Sequence, residues 1–358
     1  MSLKILTINP GSTSTKIGVF QDEKLIFDQT LRHSTEEIAK YKEIYNQKDF
    51  RKEVILKVLE EKNEDLKSFD VIVGRGGLLK PIPGGTYATT PELLEDLKNE
   101  RQGAHASNLG GILAADLAKE AGNIPSFIVD PVVVDELQDV ARISGHPDMP
   151  RTSIFHALNQ KAIGKRYAKE NNKHYNELNL IIAHLGGGVT VGAHKKGQVI
   201  DVFNALDGEG AFSPERTGSL PTASLIRMCY SGKYPTVKEA IKSCIGLGGV
   251  TAYLGTNNMV DVENAALKDH DPKSKLIFDA FIYQVAKDIG AMAAVLEGNV
   301  DQILITGGIA YAPYVREEIN RMVSFIAGVT VYPGEDELLA LAQGAIRVLN
   351  KEENVQTY

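Results

Sequence analysis

The spacing of apolar positions along the chain changes period in a repeated order. Three short apolar runs open it: LKILTI (3–8), TKIGVF (15–20) and EKLIFDQTL (23–31), separated by tight turns. They predict a three-strand meander. Helical spacing follows. STEEIAKY carries Ser34 and Glu37 in capping-box positions, residues 49–62 continue in helix, and TPELLEDL starts with Thr90 as cap and Pro91 at the first helical position. FDVIVGRGG (69–77) reads as a buried strand ending in a glycine-rich turn. SNLGGILAADLAKEAG (107–122) reads as a helix, and SFIVDP (126–131) as a strand that stops at Pro131.

The second half repeats that order. NLIIAHLGGGVTVGAHKKGQVIDVF (179–203) is again strand, turn, strand, turn, strand. Helices are predicted over 222–231 and 273–297, then a strand at QILITGG (302–308), a helix from Pro313, a strand at GVTVYPG (328–334) and a last helix. The two openings share almost no identical residues, so the duplication is one of architecture. Between them, SGHPDMPR (144–151) holds Gly145, Pro147 and Pro150 and reads as a linker. The alternation implies an α/β fold with mainly parallel sheets and helices on both faces.

Composition narrows the function classes. With 358 residues the chain is long enough for two domains; 43% hydrophobic and 24% charged residues are ordinary for a globular protein. A net charge of −7 argues against a nucleic-acid partner. Two cysteines, Cys229 and Cys244, show no metal-type spacing and build no disulfide framework, which fits a reducing compartment. LKILTI is too short for a signal-peptide core and no run of about 18 apolar residues exists. The expectation is a cytoplasmic protein without a membrane partner.

The chemistry concentrates in turns at strand ends. NPGSTSTK (9–16) places four hydroxyl residues and Lys16 where a hairpin needs only one or two permissive residues. HLGGGVT (184–190) offers three glycines, whose backbone N–H groups approach phosphate without Cβ interference, and TGGIA (306–310) follows a strand in the same way. A Walker loop, a G-x-G-x-x-G opening a helix, H-E-x-x-H and G-x-S-x-G are all absent. Each glycine turn alone is more often structural than functional; three at matching places in a duplicated architecture point to an anion or nucleotide.

In this order, INPGSTSTK, GRGGLLKPIPGG, GAHASNLG, VDPVVVDEL, SIFHALNQK, AHLGGG, NALDGEGAFSPERTGSLP and ITGGIA resemble the acetate kinase family of carboxylate kinases, within the actin-like ATPase superfamily. The likeness runs from residue 5 to about 350. It implies two duplicated actin-like (ribonuclease H-like) domains with a nucleotide cleft between them: 1–147 with 336–358 returning to it, and 148–335. It implies ATP-dependent phosphorylation of a short-chain carboxylate, butyrate foremost, by direct in-line transfer, with Mg²⁺ and a homo-oligomer of two or more chains.

A carboxylate is already a nucleophile, so the protein's task is to hold two anions in line and neutralise charge. The resemblance makes Arg75 the grip on the acid, Arg216 and His156 the groups that stabilise the transferring phosphoryl, and Asp130 the active-site carboxylate. His156 is expected inside a helix. Gly76, Gly77, Pro83, His105 and Asn108 are expected around the acid. Asn9, Ser12, Ser14, Lys16, His184, Gly186, Gly187, Gly188, Gly307 and Gly308 are expected around the nucleotide phosphates. The metal falls to Asn9 and to one of Glu335, Asp336 and Glu337, with Glu337 chosen; an acidic first helical turn is an equally sound reading of those three. Asn258 and Val260 stand where the family commonly has Asp-x-Arg against the nucleotide.

Acetate, propionate and branched acids stay open, because one methylene in an apolar pocket is worth only about 1–3 kcal/mol. A nucleotide-switched interaction protein of the same superfamily is the reading from another class. It would need polymer contacts or an appended peptide-binding domain. A transcriptional regulator would need a helix-turn-helix segment ahead of the first strand.

Overall fold

A computed structural model of the chain describes residues 2–204 and 206–358; Met1 and Ala205, the latter within the NALDGEG segment, lie outside the described residues. The chain forms two compact units, Met1–Asp135 with Asp336–Tyr358, and Glu136–Glu335.

In the first unit β1 (Lys4–Pro10), β2 (Ser14–Gln21) and β3 (Lys24–Arg32) form the expected antiparallel meander, with Ile8 opposite Ile17 and Asn9 opposite Lys16. Helices α1 (Thr35–Ile38) and α2 (Lys48–Glu61) follow. Ser34 and Glu37 close both halves of a capping box on α1. Strand β4 (Val71–Arg75) then lies parallel to β1, and β5 (Thr86–Ala88) forms an edge. Helices α3 (Pro91–Lys98) and α4 (Asn108–Glu120) lead to β6 (Ser126–Val129), giving the order β3-β2-β1-β4-β6-β5. Thr90 caps α3 and Pro91 opens it. Helix α4 touches β4 backbone to backbone. A Cβ on Gly74 would lie 2.0 Å from the Gly110 carbonyl oxygen, and one on Gly110 2.2 Å from that of Arg75, so only glycine fits either place.

The second unit begins with α5 (Ala157–Glu170) and a second meander, β7 (Asn179–Leu185), β8 (Val189–Lys195) and β9 (Gln198–Val202). Helices α6 (Thr222–Cys229), α7 (Val237–Cys244), α8 (Gly249–Leu254), α9 (Met259–Leu267) and α10 (Pro272–Val295) precede β10 (Gln302–Gly307), α11 (Pro313–Val323) and β11 (Val329–Pro333). The order β11-β10-β7-β8-β9 repeats that of β6-β4-β1-β2-β3, with the same strand polarities. Helix α10 supplies much of this core through Phe278, Phe281, Val285, Ile289 and Met292. The chain then returns to the first unit as α12 (Glu337–Leu349), which packs on β1, β4 and β6.

The first crossing falls at Asp135, ahead of the expected boundary at 147, and SGHPDMPR belongs to the second unit rather than linking two. Glu136 ahead of it and Arg151 at its end are tied to the second unit. Glu136 pairs with Lys161 at 2.9 Å and accepts the Val199 N–H at 2.7 Å; Arg151 pairs with Asp201 and Glu209, each at 2.9 Å. No described helix is long and apolar enough to cross a membrane.

Candidate active site

Parallel pairing of β1 and β4 brings Asn9 and Arg75 to neighbouring carboxyl ends, the edge where α/β sheets present ligands, and α12 starts beside them. Glu337 Oε2 accepts from Asn9 Nδ2 and from Arg75 Nη1, both at 2.6 Å, and Arg75 Nη1 lies 3.4 Å from Asn9 Oδ1. Three of the expected site residues thus form one cluster, in which the guanidinium already holds a carboxylate. Of the three adjacent acids, Asp336 instead caps α12 through the Leu339 N–H (3.1 Å), and Glu335 stays in the second unit.

Around Arg75 the expected acid-side residues divide by role. His105 bonds Ser107 Oγ at 2.8 Å; burial, and secondarily the Arg75 cation, hold its pKa below the ordinary value, which keeps the ring neutral near pH 7. Asn108 was expected to touch the acid. Its Oδ1 accepts the Leu78 N–H (2.8 Å) and its Nδ2 donates to the Gly103 carbonyl (2.9 Å), so the amide ties two loops together. Gly76 packs on Pro131, and Gly77 leaves room for the Asn108 side chain. The Pro83 carbonyl accepts from Tyr87 Oη at 2.8 Å. Asp130, just past β6, is buried with φ +36°, a strained value for an L-residue. Its Oδ1 accepts the Gly85 N–H at 2.7 Å, and that bond fixes the end of the KPIPGG loop.

The hydroxyl-rich segment is a three-residue turn, Gly11, Ser12 and Thr13, between β1 and β2, with Ser14 opening β2. Lys16 stands opposite Asn9, and its Nζ pairs with Asp28 at 2.9 Å. Both side chains are over a third exposed, so the pair is weak and an anion can compete for the lysine. Sequence reasoning missed Arg51, whose guanidinium lies buried beneath this turn. The signal was present: Arg51 falls on the buried stripe of α2 with Ile55, Val58 and Leu59.

In the second unit the β7–β8 turn carries Gly186, Gly187 and Gly188. The Gly187 carbonyl accepts from Ser213 Oγ (2.8 Å), which itself accepts the Arg216 N–H (3.2 Å). A Cβ on Gly188 would lie 2.5 Å from Arg216 Nη1 and 3.4 Å from His156 Cε1, so the missing side chain lets guanidinium and imidazole meet over the turn. Burial lowers the Arg216 pKa, with no loss of charge near neutrality. His156 is not inside a helix but one residue before α5, at its N-cap, where its ring is turned to Thr190 Oγ1 (2.9 Å). It stacks on His184 with centroids 3.8 Å apart, and His184 Nδ1 donates to Asn159 Oδ1 at 2.8 Å. Thr190 also accepts from Gln160 Nε2 at 2.9 Å. Asn159, Gln160 and Thr190, which orient the two rings, lie within SIFHALNQK and HLGGGVT but were not singled out there.

A cavity of 410 Å³ opens beside this turn. Gly186, Gly187, Gly308, Asn258, Val260 and Glu335 line it, together with Tyr311 and Pro313. Gly307 closes β10 through an N–H bond to the Gly334 carbonyl at 3.1 Å. Asn258 caps α9 by accepting the Val260 N–H at 3.1 Å. Asn258 and Val260 thus bring an amide and an aliphatic side chain to this wall, the departure already read from the sequence.

A family model described as the acetokinase family matches residues 150–355. Butyrate kinase 2 of Clostridium acetobutylicum is 60% identical over 359 residues, spanning 100% of both chains. The chain belongs to the acetokinase family. A second acetokinase relative, a probable butyrate kinase of Clostridium botulinum, is 59% identical over 100% of both chains. Among solved structures, acetate kinase from Porphyromonas gingivalis superposes with a TM-score of 0.78 at 20% identity, covering 97% of this chain and 100% of that one. A propionate kinase from Francisella tularensis gives 0.73 at 18% identity, covering 96% and 98%. At those identities the likeness is one of fold: the chain has the two-domain actin-like architecture.

Proposed function

We propose that the protein transfers the γ-phosphoryl group of ATP to butyrate, forming butyryl phosphate and ADP. The observation that carries this reading is 60% identity across the whole of a chain named butyrate kinase. The geometry supports it. Arg75 presents a guanidinium that already holds the Glu337 carboxylate, the chemistry needed to orient an acid. Arg216 and His156 supply a cation and an imidazole at a glycine turn, where charge on a transferring phosphoryl group would be stabilised. The cavity beside that turn suits the nucleoside. No general base is required, because the acid is ionised at neutral pH.

Mg²⁺ would draw on the Glu337 carboxylate and on the Asn9 amide oxygen, which lies toward Arg75 while Nδ2 donates to Glu337 Oε2; that ion commonly takes one or two protein oxygens and completes its shell with water and phosphate. When bound it would neutralise phosphate charge; orientation of the acid remains with Arg75. The protein is further proposed to act in the cytoplasm as a homo-oligomer. Helices α6 and α7 bury no residue and expose Ile226, Val237 and Ile241, with Tyr230 exposed just past α6, an apolar face suited to self-association.

The test is hydroxamate trapping of acyl phosphate with ATP, Mg²⁺ and acetate, propionate, butyrate, isobutyrate or isovalerate. The strongest signal is expected with butyrate. A preference for acetate, propionate or the branched acids moves the substrate within the family. Bound ATP with no acyl phosphate from any acid would revive a nucleotide-switched interaction protein.

A further inference from the structure

Arg51 is among the largest fully buried side chains of the described residues, and all its hydrogen-bond partners are neutral. Nη1 donates to the carbonyls of Gly11 and Ser14 (both 2.9 Å) and to Thr15 Oγ1 (3.0 Å). Nη2 donates to the Ser12 carbonyl (3.3 Å) and to Gln47 Oε1 (2.8 Å), which also takes Nε at 3.1 Å. The Thr13 carbonyl accepts the His33 N–H at 2.9 Å. All four carbonyls from Gly11 to Ser14 are therefore turned into the protein and satisfied. The N–H groups of Ser12 and Thr13 donate to no described protein group, and both residues are exposed.

A turn whose acceptors are drawn inward and whose donors face outward is an anion cradle. Neutral donors could have held the same carbonyls. A buried guanidinium without a carboxylate is costly until a counter-charge arrives. We propose that Arg51 is a positioning residue for the ATP phosphates: it sets the 11–14 turn with its donors outward and leaves beneath it a fixed positive charge whose counterion is the bound polyphosphate. This rests on the reading that the turn receives ATP. Gln47 aims the guanidinium and gives up its own capping bond on α2 to do so.

The experiment compares the full-length wild-type protein with Arg51→Gln and Arg51→Lys. Apparent KM values for ATP and butyrate are measured, together with the melting shift produced by inorganic tripolyphosphate, which needs no turnover. Arg51→Gln is expected to raise the ATP KM about tenfold, leave the butyrate KM within about twofold and abolish the tripolyphosphate shift. Arg51→Lys keeps the charge and is expected to recover most of the shift. A folded Arg51→Gln protein with wild-type ATP KM and shift overturns the proposal. A lysine variant as weak as the glutamine one overturns the role of charge. If Arg51→Gln does not fold, Gln47→Met, which loosens the guanidinium, is expected to raise only the ATP KM, about threefold; no change there overturns the proposal. Absence of acyl phosphate from the wild type is instead a failure of the kinase reading, and the tripolyphosphate shift still judges Arg51.

Discussion

Asp288 shows how one buried acid can govern the loop that carries a catalytic candidate. It lies on α10, and its Oδ2 accepts the Ala211 N–H at 2.6 Å, while Gln284 Oε1 takes the Phe212 N–H at 3.2 Å. These two bonds hold the segment leading to Arg216. Burial pushes the Asp288 pKa up to about 6, against the lowering effects of the Ala211 bond and of Lys287. The native carboxyl thus binds its proton more tightly than the unfolded chain does. Its contribution to stability is full below the unfolded value near 4, is lost as pH rises toward 6, and changes no further above it. The lost stability is about 3 kcal/mol at most. Asp288→Asn, which cannot ionise, is expected to flatten this dependence, with urea unfolding from pH 4 to 8 as the check. A slope equal to that of the wild type would assign the titration to other groups.

Among elements, the contact of α4 with β4 is unforgiving. Gly110→Ala drives a methyl into the Arg75 carbonyl, and backbone rather than a flexible side chain must give way. A loss of about 1–3 kcal/mol is expected in denaturant unfolding. A raised acid KM should accompany it, because the displaced strand end carries Arg75; an unchanged KM would show that the strand end tolerates the shift. At this scale the sequence was most readable. Ser34 with Glu37, and Thr90 with Pro91, start helices through local hydrogen bonds and φ restriction, and both starts are seen. Strand β5 escaped because three residues carry no period; it is paired by β6 and, at Tyr87, bridged by Gln356 from the far end of the chain. His156 was placed inside the helix rather than at its N-cap because apolar spacing cannot tell an N-cap from a first turn. Arg51 was passed over for a physical reason too: nothing local states that a guanidinium on an apolar stripe will meet carbonyls forty residues earlier.

At the scale of the whole molecule, the two units differ in continuity. Glu136–Glu335 is one unbroken stretch, whereas the first unit needs Asp336–Tyr358 to cover β1, β4 and β6. A 136–335 fragment is therefore expected to unfold cooperatively on heating, followed by circular dichroism. A 1–135 fragment, lacking Leu338, Leu341 and Ala345 over its sheet, should give no sharp transition. A cooperative melt of 1–135 alone would show that α12 is dispensable to that core.

The returning helix also sets a timetable for biosynthesis. A ribosome delivers the first sheet early and α12 last. At roughly 5–20 residues per second the nascent chain waits on the order of 10–40 s for its final layer. Through that interval one face of β1, β4 and β6 stays bare while the later-made unit is already closing. Newborn chains paused before residue 336 should accordingly be the ones that holdase chaperones capture.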